Sequence, residues 1–472
     1  MSITAGPEQT GVQARGRRWG LALELLTFNL LLLATAPMLA CWLLWRSLVR
    51  RKPIGCWRHR LGLVPRLRNA GGPRVWLHAV SAGEMAAAKP VLDALCALLP
   101  GSRIALSTVT PAGMVVAEKT CQAADARFYF PFDAPCCISQ ALLRVRPDLV
   151  VVTEKELWPN FLGLARLLGA RVLVVNGRVS DRMLGRSKWA PGFVKWLYRL
   201  PDLLCVQSSR DAQRLAALRV PSSRVEIAGN TKVDGMSARD LSVEADLAGA
   251  LDAAAGETWL VAGSTHAGEE EVVVEAFELI RERLPGARLL LAPRHLERVP
   301  AVSAMLAQRG FRVVRRSEYA PTSDSRRGHR ARASAEPAEQ KRPAPADAPA
   351  VVLDTIGELR SAYALGVAGF VGGTFAPIGG HNLLEPIAAG RPVIFGPHTE
   401  NCADVAEMVG DAHVGFPVTT AEELAEQFVR IATDAGLRSR IAGAAQRLMD
   451  SQRGAAERCA QAAERLLSMR SA

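Results

Sequence analysis

The residues of this chain that could do chemistry stand directly after short apolar runs. Glu84 follows the run that ends at Val80, across a turn of Ser81, Ala82 and Gly83. A carboxylate at the start of a helix is well placed to act as a general base. The spacing also fits a capping box, in which Ser81 caps the helix and Glu84 is its partner, without any catalytic role. The spacing alone leaves both interpretations open.

A second polar group follows the apolar run 149–153. Glu154 and Glu156 flank Lys155, and the segment continues through Leu-Trp-Pro to Asn160. Two carboxylates beside a cation could position an acceptor hydroxyl, or they could only complement the dipole of the following helix. Here too both interpretations stay open.

A third group contains Ser264, Thr265 and His266 after Gly263, with three consecutive glutamates at 269–271. Backbone N–H groups at such a helix start bind anions, although the glutamates weaken that inference. Helix capping fits equally well.

A fourth group contains Pro293, Arg294 and His295 after the apolar run that ends at Leu291. Two basic donors at a strand end suit a phosphate or a carboxylate. A surface turn without a ligand is the alternative.

The most concentrated motif runs from Phe370 to Pro397. It contains Gly372, Gly373, Thr374, Gly379, Gly380, His381, Asn382 and Glu385. Two glycine pairs around a short loop, before a helix that opens at His381 or Asn382, supply backbone donors for an anion. A carboxylate at Glu385 suits ribose hydroxyls. No metal is expected, because further ligands at usable spacing are missing.

The apolar runs alternate with helical patterns, which predicts parallel strands in a doubly wound α/β fold. The predicted strands are 75–80, 104–108, 149–153, 172–176 and 203–207, then 259–263, 289–292, 313–315, 351–354, 367–371 and 393–395. Ligands in such folds bind beyond the carboxyl ends of strands. No G-x-G-x-x-G follows a strand, so a dinucleotide cofactor is not indicated. Two Rossmann-like domains facing a cleft would be a GT-B architecture, which alone does not fix function.

The length of 472 residues predicts more than one domain, because single cores stop growing beyond roughly 250–300 residues. The predicted order is a basic tail (1–18), a membrane-anchor helix (19–45), a first Rossmann-like domain (46–235) and a second one (250–472). Within the second domain, 319–350 is rich in Pro, Ala, Ser, Arg and Glu and predicts a disordered insertion. Nine cysteines without a C-x-x-C pair predict buried free thiols.

The segment from Trp19 to Trp45 is almost entirely apolar, and it is long enough to cross a hydrocarbon core of about 30 Å as a helix. Glu24 keeps open a shallower alternative, in which the helix lies in the interface. The formal charge of +12 is clustered after this segment, at Arg46, Arg50, Arg51, Lys52, Arg58, Arg60, Arg66, Arg68 and Arg74. This placement favours anionic lipid and a cytoplasmic location for the rest of the chain. A nucleic-acid partner is not expected, since no reader motif accompanies the charge.

These motifs, in this order, resemble the transferases of 3-deoxy-D-manno-octulosonic acid (Kdo) in lipopolysaccharide synthesis, a GT-B family. The matching segments are 78–84 (HAVSAGE), 154–160 (EKELWPN), 176–180 (NGRVS), 229–232 (GNTK), 262–265 (AGST), 293–295 (PRH) and 372–386, from Gly-Gly-Thr to Glu-Pro. The resemblance implies inverting transfer of Kdo from CMP-Kdo to a hydroxyl of lipid IVA, a lipid A precursor, at the cytoplasmic face of the bacterial inner membrane. It implies CMP-Kdo, lipid IVA and anionic membrane lipid as partners, and no cofactor.

The resemblance also implies roles for residues in the first half of the chain. It makes Glu84 the general base, and it makes Glu154 or Glu156 a carboxylate that helps to hold the acceptor or the base. Ser81 and Gly83 belong to the same matching segment. Lys155 departs from the family pattern, which has a small polar residue there.

For the nucleotide, the resemblance implies that Arg294 and the loop 372–382 hold the CMP phosphate and that Glu385 holds its ribose. Neighbouring Pro293 and His295 complete that motif. The remaining matching residues are expected to line the cleft side of the second domain: Asn230, Lys232, Ser264 and Thr265.

Two other interpretations compete with a transferase. A nucleotide-sugar epimerase of the same fold shares the glycine-rich signature, but it has no use for the segment 19–45. A catalytically silent membrane-bound binding protein would have no activity to lose when Glu84 is altered.

Overall fold

The computed structural model describes residues 19–34, 55–67, 71–179, 183, 185, 191–236, 241–251, 253, 256–318 and 349–471. The chain divides into two compact units: residues 1–235 together with 452–472, and residues 236–451. Each unit is built on a seven-stranded sheet whose strands all pair in parallel. This confirms the prediction of two doubly wound α/β domains.

The strands of the first unit are β1 (Arg74–His78), β2 (Arg103–Thr108), β3 (Ala126–Tyr129), β4 (Leu149–Thr153), β5 (Arg171–Gly177), β6 (Leu203–Val206) and β7 (Val225–Ile227). Their order in the sheet is β3-β2-β1-β4-β5-β6-β7. Alternate residues of β1 enter different cores: Trp76 lies in one apolar cluster, and Val75 and Leu77 lie in the other. Because side chains alternate along a strand, helices must cover both faces of this sheet.

The helices of the first unit are residues 19–34, Trp57–Arg60, Ala82–Leu98, Pro111–Thr120, Pro135–Val145, Pro159–Leu167, Pro191–Leu197, Ser209–Ala217, Thr231–Asp234 and Ala455–Ser471. The last of these differs from the sequence prediction, which assigns 250–472 to the second domain. Its small side chains, among them Ala460 and Ala463, share a core with Val175 and Cys205 of the first sheet. Helical periodicity predicts that the segment has an apolar face, but it does not say which sheet that face covers.

The strands of the second unit are β8 (Trp259–Thr265), β9 (Arg288–Pro293), β10 (Val313–Arg315), β11 (Ala350–Val352), β12 (Ala368–Val371), β13 (Val393–Phe395) and β14 (Gly415–Pro417). Their order is β10-β11-β9-β8-β12-β13-β14. The helices are Leu241–Ala250, Glu269–Arg283, Val299–Gln308, Leu359–Leu365, Leu384–Ala388, Ala403–Asp411, Ala421–Thr433 and Ala435–Gln452.

Every strand predicted from the apolar runs is present, and β3, β7 and β14 are additional. The last two are three-residue strands at sheet edges, too short for a pattern. In β3, burial alternates between Ala126 and Phe128 on one side and Arg127 and Tyr129 on the other, so it lacks a continuous apolar run. The predicted insertion 319–350 lies outside the described residues except for 349 and 350, and Ala350 belongs to β11.

The amino-terminal segment forms a helix over residues 19–34, and residues 1–18 and 35–45 lie outside the described residues. Within the part of the chain that the structure describes, no helix is both long enough and apolar enough to span a membrane. Of the membrane-anchor helix predicted over 19–45, the structure describes residues 19–34.

Two arginines of the basic cluster after this segment, Arg60 and Arg74, form contacts inside the protein. Arg60 is buried and donates to the carbonyls of Phe130 (2.8 Å) and Val109 (2.6 Å). Arg74 pairs with Asp148 at 3.4 Å. Other members are exposed, namely Arg58 and Arg66, or lie outside the described residues, namely Arg46, Arg50, Arg51, Lys52 and Arg68.

The cysteines within the described residues are free thiols, as predicted, but they are not all buried. Cys136 is exposed, and Cys56 and Cys96 are partly exposed.

Candidate functional site

Glu84 lies at the point where the strand order of the first sheet reverses, beside the carboxyl ends of β1 and β4. The helix Ala82–Leu98 begins after Ser81, whose hydroxyl accepts the Glu84 N–H at 3.4 Å, so the predicted cap is present. Glu84 Oε2 in turn accepts the Val80 N–H (2.9 Å) and the Thr153 hydroxyl (3.1 Å). Thr153 is the last residue of β4. The carboxylate therefore occupies the switch point at which open α/β sheets bind ligands.

The pKa of the Glu84 carboxyl lies close to neutral pH. Burial raises the pKa of Glu84 to about 7; the Val80 N–H opposes this rise, and negative charge on Glu154 and Glu156 adds to it. Burial and the Glu154 charge also raise the pKa of Glu156. A general base works best when its pKa lies near the operating pH, so Glu84 has the properties of one.

Glu154 is held in a strained backbone conformation at the end of β4. Its φ is +57° and that of Asn176, on the neighbouring strand β5, is +53°. The Glu154 Oε1 atom accepts from Lys232 Nζ at 2.7 Å and from Asn176 Nδ2 at 3.4 Å. Left-handed backbone at non-glycine residues costs roughly 1–3 kcal/mol and collects at functional sites. The two residues lie at the ends of neighbouring strands, where such backbone strain is consistent with a functional site.

Asn230 and Lys232 belong to the first unit, which corrects their expected place in the second domain. Asn230 Oδ1 accepts the Lys232 N–H at 3.1 Å and so caps the helix Thr231–Asp234. That helix is fixed to the first unit because the Thr231 hydroxyl donates to the Ala87 carbonyl at 2.9 Å. The predicted bounds of the first domain, 46–235, include this short helix, whereas the resemblance implies that Asn230 and Lys232 line the second domain.

The second sheet has its own switch point, at the ends of β8 and β12. Ser264, near the end of β8, has a φ of +58°. Gly372, which follows β12, is required here because a Cβ at this position would lie 2.5 Å from the Ser264 carbonyl oxygen. The motifs around Ser264 and Gly372 are thus brought together, as expected of residues that follow neighbouring parallel strands.

In the loop 372–382, for which the sequence predicts phosphate binding, the backbone N–H groups of residues 373–376 are bonded within the protein. Their partner is Glu269, the first residue of the helix Glu269–Arg283. This carboxylate is fully buried. It accepts from the backbone N–H of Gly373 (2.7 Å), Thr374 (2.8 Å), Phe375 (2.8 Å), Ala376 (3.1 Å) and His266 (2.9 Å). The loop is a nest for an anion, and the anion is a side chain of the protein.

The hydroxyls of two predicted ligand residues are also used internally. Thr374 is buried, donates to the Val371 carbonyl at 2.7 Å and accepts the Gly396 N–H at 2.9 Å. Thr265 is buried and its hydroxyl lies 3.5 Å from Glu270. Both residues stabilise the strand ends instead of facing a ligand, which corrects their assignment.

Two histidines stack beside this loop. The Nε2 atoms of His266 and His381 are 2.7 Å apart and the ring centroids are 5.0 Å apart, with an interplanar angle of 12°. One nitrogen must donate and the other must accept, so a single proton lies between them. The His295 ring packs edge-on against His266, with centroids 5.5 Å apart. Burial and, to a smaller extent, the positive charge of Arg294 together lower the pKa of His381 to about 4.

Arg294 is an exposed cation at the end of β9, where its backbone N–H bonds the Thr265 carbonyl at 2.9 Å. Its charge also acts on Glu385: burial raises the pKa of that carboxyl, while the bond from Asn382 and the charge of Arg294 oppose the rise. The helix that carries Glu385 begins at Leu384, later than the predicted start at His381 or Asn382. The charge of Arg294, which follows β9, thus acts on both His381 and Glu385, which follow β12.

The second glycine pair shapes the turn that leads to His381. Gly379 and Gly380 have φ values of +96° and +85°, and the Gly380 N–H donates to the Gly373 carbonyl at 2.7 Å. A Cβ at Gly379 would lie 2.6 Å from the Asn401 side-chain amide. These glycines therefore allow the turn, and the Gly380 N–H is used within it.

Among the described residues, no group of three or more His, Cys, Asp or Glu side chains is arranged to hold a metal ion.

Comparison with known proteins places these features in context. Residues 56–235 match the family model described as 3-Deoxy-D-manno-octulosonic-acid transferase (kdotransferase). A 3-deoxy-D-manno-octulosonic acid transferase of Chlamydia pneumoniae is 32% identical over 382 residues, covering 77% of this chain and 78% of the relative. A protein of the same name from Haemophilus influenzae is 29% identical over 438 residues, covering 91% and 96%. The UDP-GlcNAc 2-epimerase of Neisseria meningitidis, at a TM-score of 0.55 and 13% identity over 84% of this chain and 99% of that one, shares the fold alone.

Proposed function

Because the chain belongs to the family of 3-deoxy-D-manno-octulosonic acid (Kdo) transferases, we propose that it moves Kdo from CMP-Kdo to a hydroxyl of lipid IVA. The observation that carries the proposal is Glu84, a carboxyl whose pKa is raised to about 7 at a sheet switch point. Family membership favours a transferase over the epimerase interpretation, because the likeness to an epimerase is one of fold.

On the acceptor side, Glu84 takes the proton of the attacking hydroxyl. The hydroxyl oxygen forms the new bond to the ketosidic carbon of Kdo while the bond from that carbon to the CMP phosphate breaks. A single displacement inverts the configuration and needs one base and no enzyme nucleophile. Val80 and Thr153 both donate to Oε2, so we assign proton acceptance to Oε1.

On the donor side, negative charge builds up on the departing CMP phosphate. Arg294 is an exposed cation whose charge acts on His381 and Glu385, and a guanidinium binds a phosphate through charge-assisted hydrogen bonds before and during transfer. Its location supports a role in binding the phosphate, and Glu385 is the proposed partner of the ribose hydroxyls. The N–H groups of residues 373–376 are omitted from this role because Glu269 accepts them.

We place the protein at the cytoplasmic face of the inner membrane, where the helix 19–34 would lie in the lipid interface. Its polar side chains bond the protein: Glu24 accepts from Trp196 at 2.8 Å, and Asn29 donates to Asn160 at 2.7 Å. The large apolar side chains that point away from the protein are 55–77% exposed, namely Trp19, Leu23, Leu26, Leu30, Leu31 and Leu33. A helix with an outward apolar face of this kind fits the headgroup boundary.

Sedimentation with vesicles of phosphatidylethanolamine and phosphatidylglycerol tests this location. We expect the double variant Leu23→Ser, Leu30→Ser to partition at least about tenfold less than the native protein, because each buried leucine contributes about 1.5–3 kcal/mol. Ile356→Ser is the matched control, since Ile356 is 88% exposed in the other unit. Unchanged partitioning of the double variant would rule out this helix as the lipid contact.

The reaction is tested by incubating the purified chain with CMP-Kdo and lipid IVA and weighing the lipid product. We expect the mass of lipid IVA to rise by whole Kdo residues, with release of CMP. UDP-GlcNAc epimerisation is measured in parallel. A well-folded chain that leaves lipid IVA unmodified would overturn the proposal, and epimerisation would replace it with the competing activity.

A further inference from the structure

Two consecutive carboxylates open the helix Glu269–Arg283 and have no part in the mechanism above. Glu269 and Glu270 are both fully buried, whereas Glu271 in the same turn is exposed. Glu270 forms a salt bridge with Arg298, which follows the segment of Arg294 and His295. Glu269 contacts only backbone N–H groups among its described hydrogen bonds. A buried charge must be paired or hydrogen-bonded. The partners of Glu269 and Glu270 come from separate parts of the chain.

The two oxygens of Glu269 serve different sets of donors. Oε1 accepts from Thr374 (2.8 Å), Phe375 (2.8 Å) and Ala376 (3.1 Å). Oε2 accepts from His266 (2.9 Å) and Gly373 (2.7 Å). One carboxylate thus connects the end of β8 to the loop after β12.

Both of these segments contact or contain one of the stacked histidines. The backbone N–H of His266 donates to Glu269. Gly373 lies directly under the His381 ring, since a Cβ at Gly373 would be 2.9 Å from His381 Cδ2. The 2.7 Å contact between the two Nε2 atoms therefore depends on the spacing that Glu269 fixes.

We propose that Glu269 is a positioning residue for the nucleotide donor, an internal anion that holds His266 and the loop 373–376 so that His266 and His381 form one preformed surface beside Arg294. The proposal rests on the proposed function and deepens it, because it assigns the arrangement of the donor site to a residue that does not touch the donor. Pre-organisation of this kind strengthens binding by removing the cost of ordering the site.

The chemistry of the donors requires a carboxylate. In Glu269→Gln the amide keeps one accepting oxygen, and its NH₂ group faces either the pair of N–H groups at Oε2 or the three at Oε1. Donors then oppose donors, and buried N–H groups lose their partners. Glu269→Asp keeps both oxygens but withdraws them by one methylene, so it should restore part of the effect.

The test measures CMP binding by calorimetry and steady-state transfer from CMP-Kdo to lipid IVA. We expect Glu269→Gln to weaken CMP binding and to raise the KM for CMP-Kdo about tenfold or more, with kcat at saturating donor and the KM for lipid IVA within about threefold of native. Glu269→Asp should be intermediate. Glu271→Gln is the control, because it removes the same charge from the same helix turn, and it should behave as native.

Amide hydrogen exchange supplies a second readout that does not need turnover. The amides of residues 373–376 should exchange at least tenfold faster in Glu269→Gln, or in Glu269→Asp if the glutamine variant does not fold, with no change in the first unit. Native CMP affinity in either variant that shows faster exchange would overturn the proposal, as would unchanged exchange. If the native chain fails to use CMP-Kdo, the proposed function fails, while exchange and CMP binding still decide the role of Glu269.

Discussion

In both units the polar residues stand at the switch point of a seven-stranded parallel sheet, between β1 and β4 in the first and between β8 and β12 in the second. In the first unit, Glu84 receives two hydrogen bonds, both at one oxygen, and its pKa is raised to about 7. In the second unit, Glu269 receives five N–H groups across both oxygens. A carboxylate with few donors near other negative charges can take up a proton. One surrounded by donors serves as a fixed internal anion.

The largest expected effect comes from removing the carboxylate that titrates. Glu84→Gln should lower kcat for Kdo transfer by a factor of about 100 to 10,000, the usual contribution of a general base. Steady-state transfer assays measure this effect, with Glu118→Gln, an exposed position on the helix Pro111–Thr120, as the control. A folded Glu84→Gln protein with kcat within tenfold of native would show that Glu84 is not the base.

The same substitution should stabilise the protein at alkaline pH. The pKa of Glu84 is raised in the folded state from 4.5 to about 7, so the stability it contributes is present below pH 4.5 and is lost as pH rises through about 7. Glu84→Gln does not ionise, and between pH 5 and pH 8 its free energy of unfolding should gain about 2–3 kcal/mol relative to native. Urea unfolding at both pH values checks this. If the variant and the native protein differ in free energy of unfolding by the same amount at pH 5 and at pH 8, the burial of the Glu84 charge is contradicted.

On the donor side, Arg294→Met should raise the KM for CMP-Kdo roughly 10- to 100-fold, because a hydrogen bond to a charged group contributes about 1.5–3 kcal/mol. The KM for lipid IVA should not change. Arg283→Met, an exposed arginine of the same unit, is the control. If both KM values rise together, Arg294 does not act on the donor alone.

The smallest effect is expected at Lys232, whose ammonium neutralises Glu154 at 2.7 Å. In Lys232→Met the full Glu154 charge acts on Glu84, which disfavours the ionised base and moves the acid limb of the pH profile of kcat/KM to higher pH. At pH 6.5 the activity should fall about threefold to tenfold, since a base loses tenfold in activity per pH unit below its pKa. Lys119→Met, an exposed lysine, should leave the limb in place. If the acid limb stays at the native pH in Lys232→Met, the charge of Glu154 does not influence the titration of Glu84.

The sequence predicts the locations of Glu84 and Arg294 well because each directly follows an apolar run, and parallel strands bring such positions to one edge of a sheet. It does not predict the role of Glu269. The partners of that carboxylate are mostly backbone N–H groups about a hundred residues away, and backbone groups leave no pattern in side chains. Glu269, Glu270 and Glu271 are the same residue type, and only the structure shows that the first two are buried, Glu269 against backbone N–H groups and Glu270 against Arg298, while Glu271 is exposed. For the same reason the glycine-rich loop predicts an anion-binding nest correctly but does not identify the anion.

The most direct test of this division of roles measures CMP binding and single-turnover Kdo transfer on the same preparations of Glu84→Gln and Arg294→Met. We predict a crossed pattern: Glu84→Gln binds CMP as tightly as native but transfers almost no Kdo, whereas Arg294→Met binds CMP weakly and transfers at no less than about a third of the native rate at saturating CMP-Kdo. Loss of CMP affinity in Glu84→Gln, or native transfer by that variant, would contradict the assignment of base and donor binding to the two units.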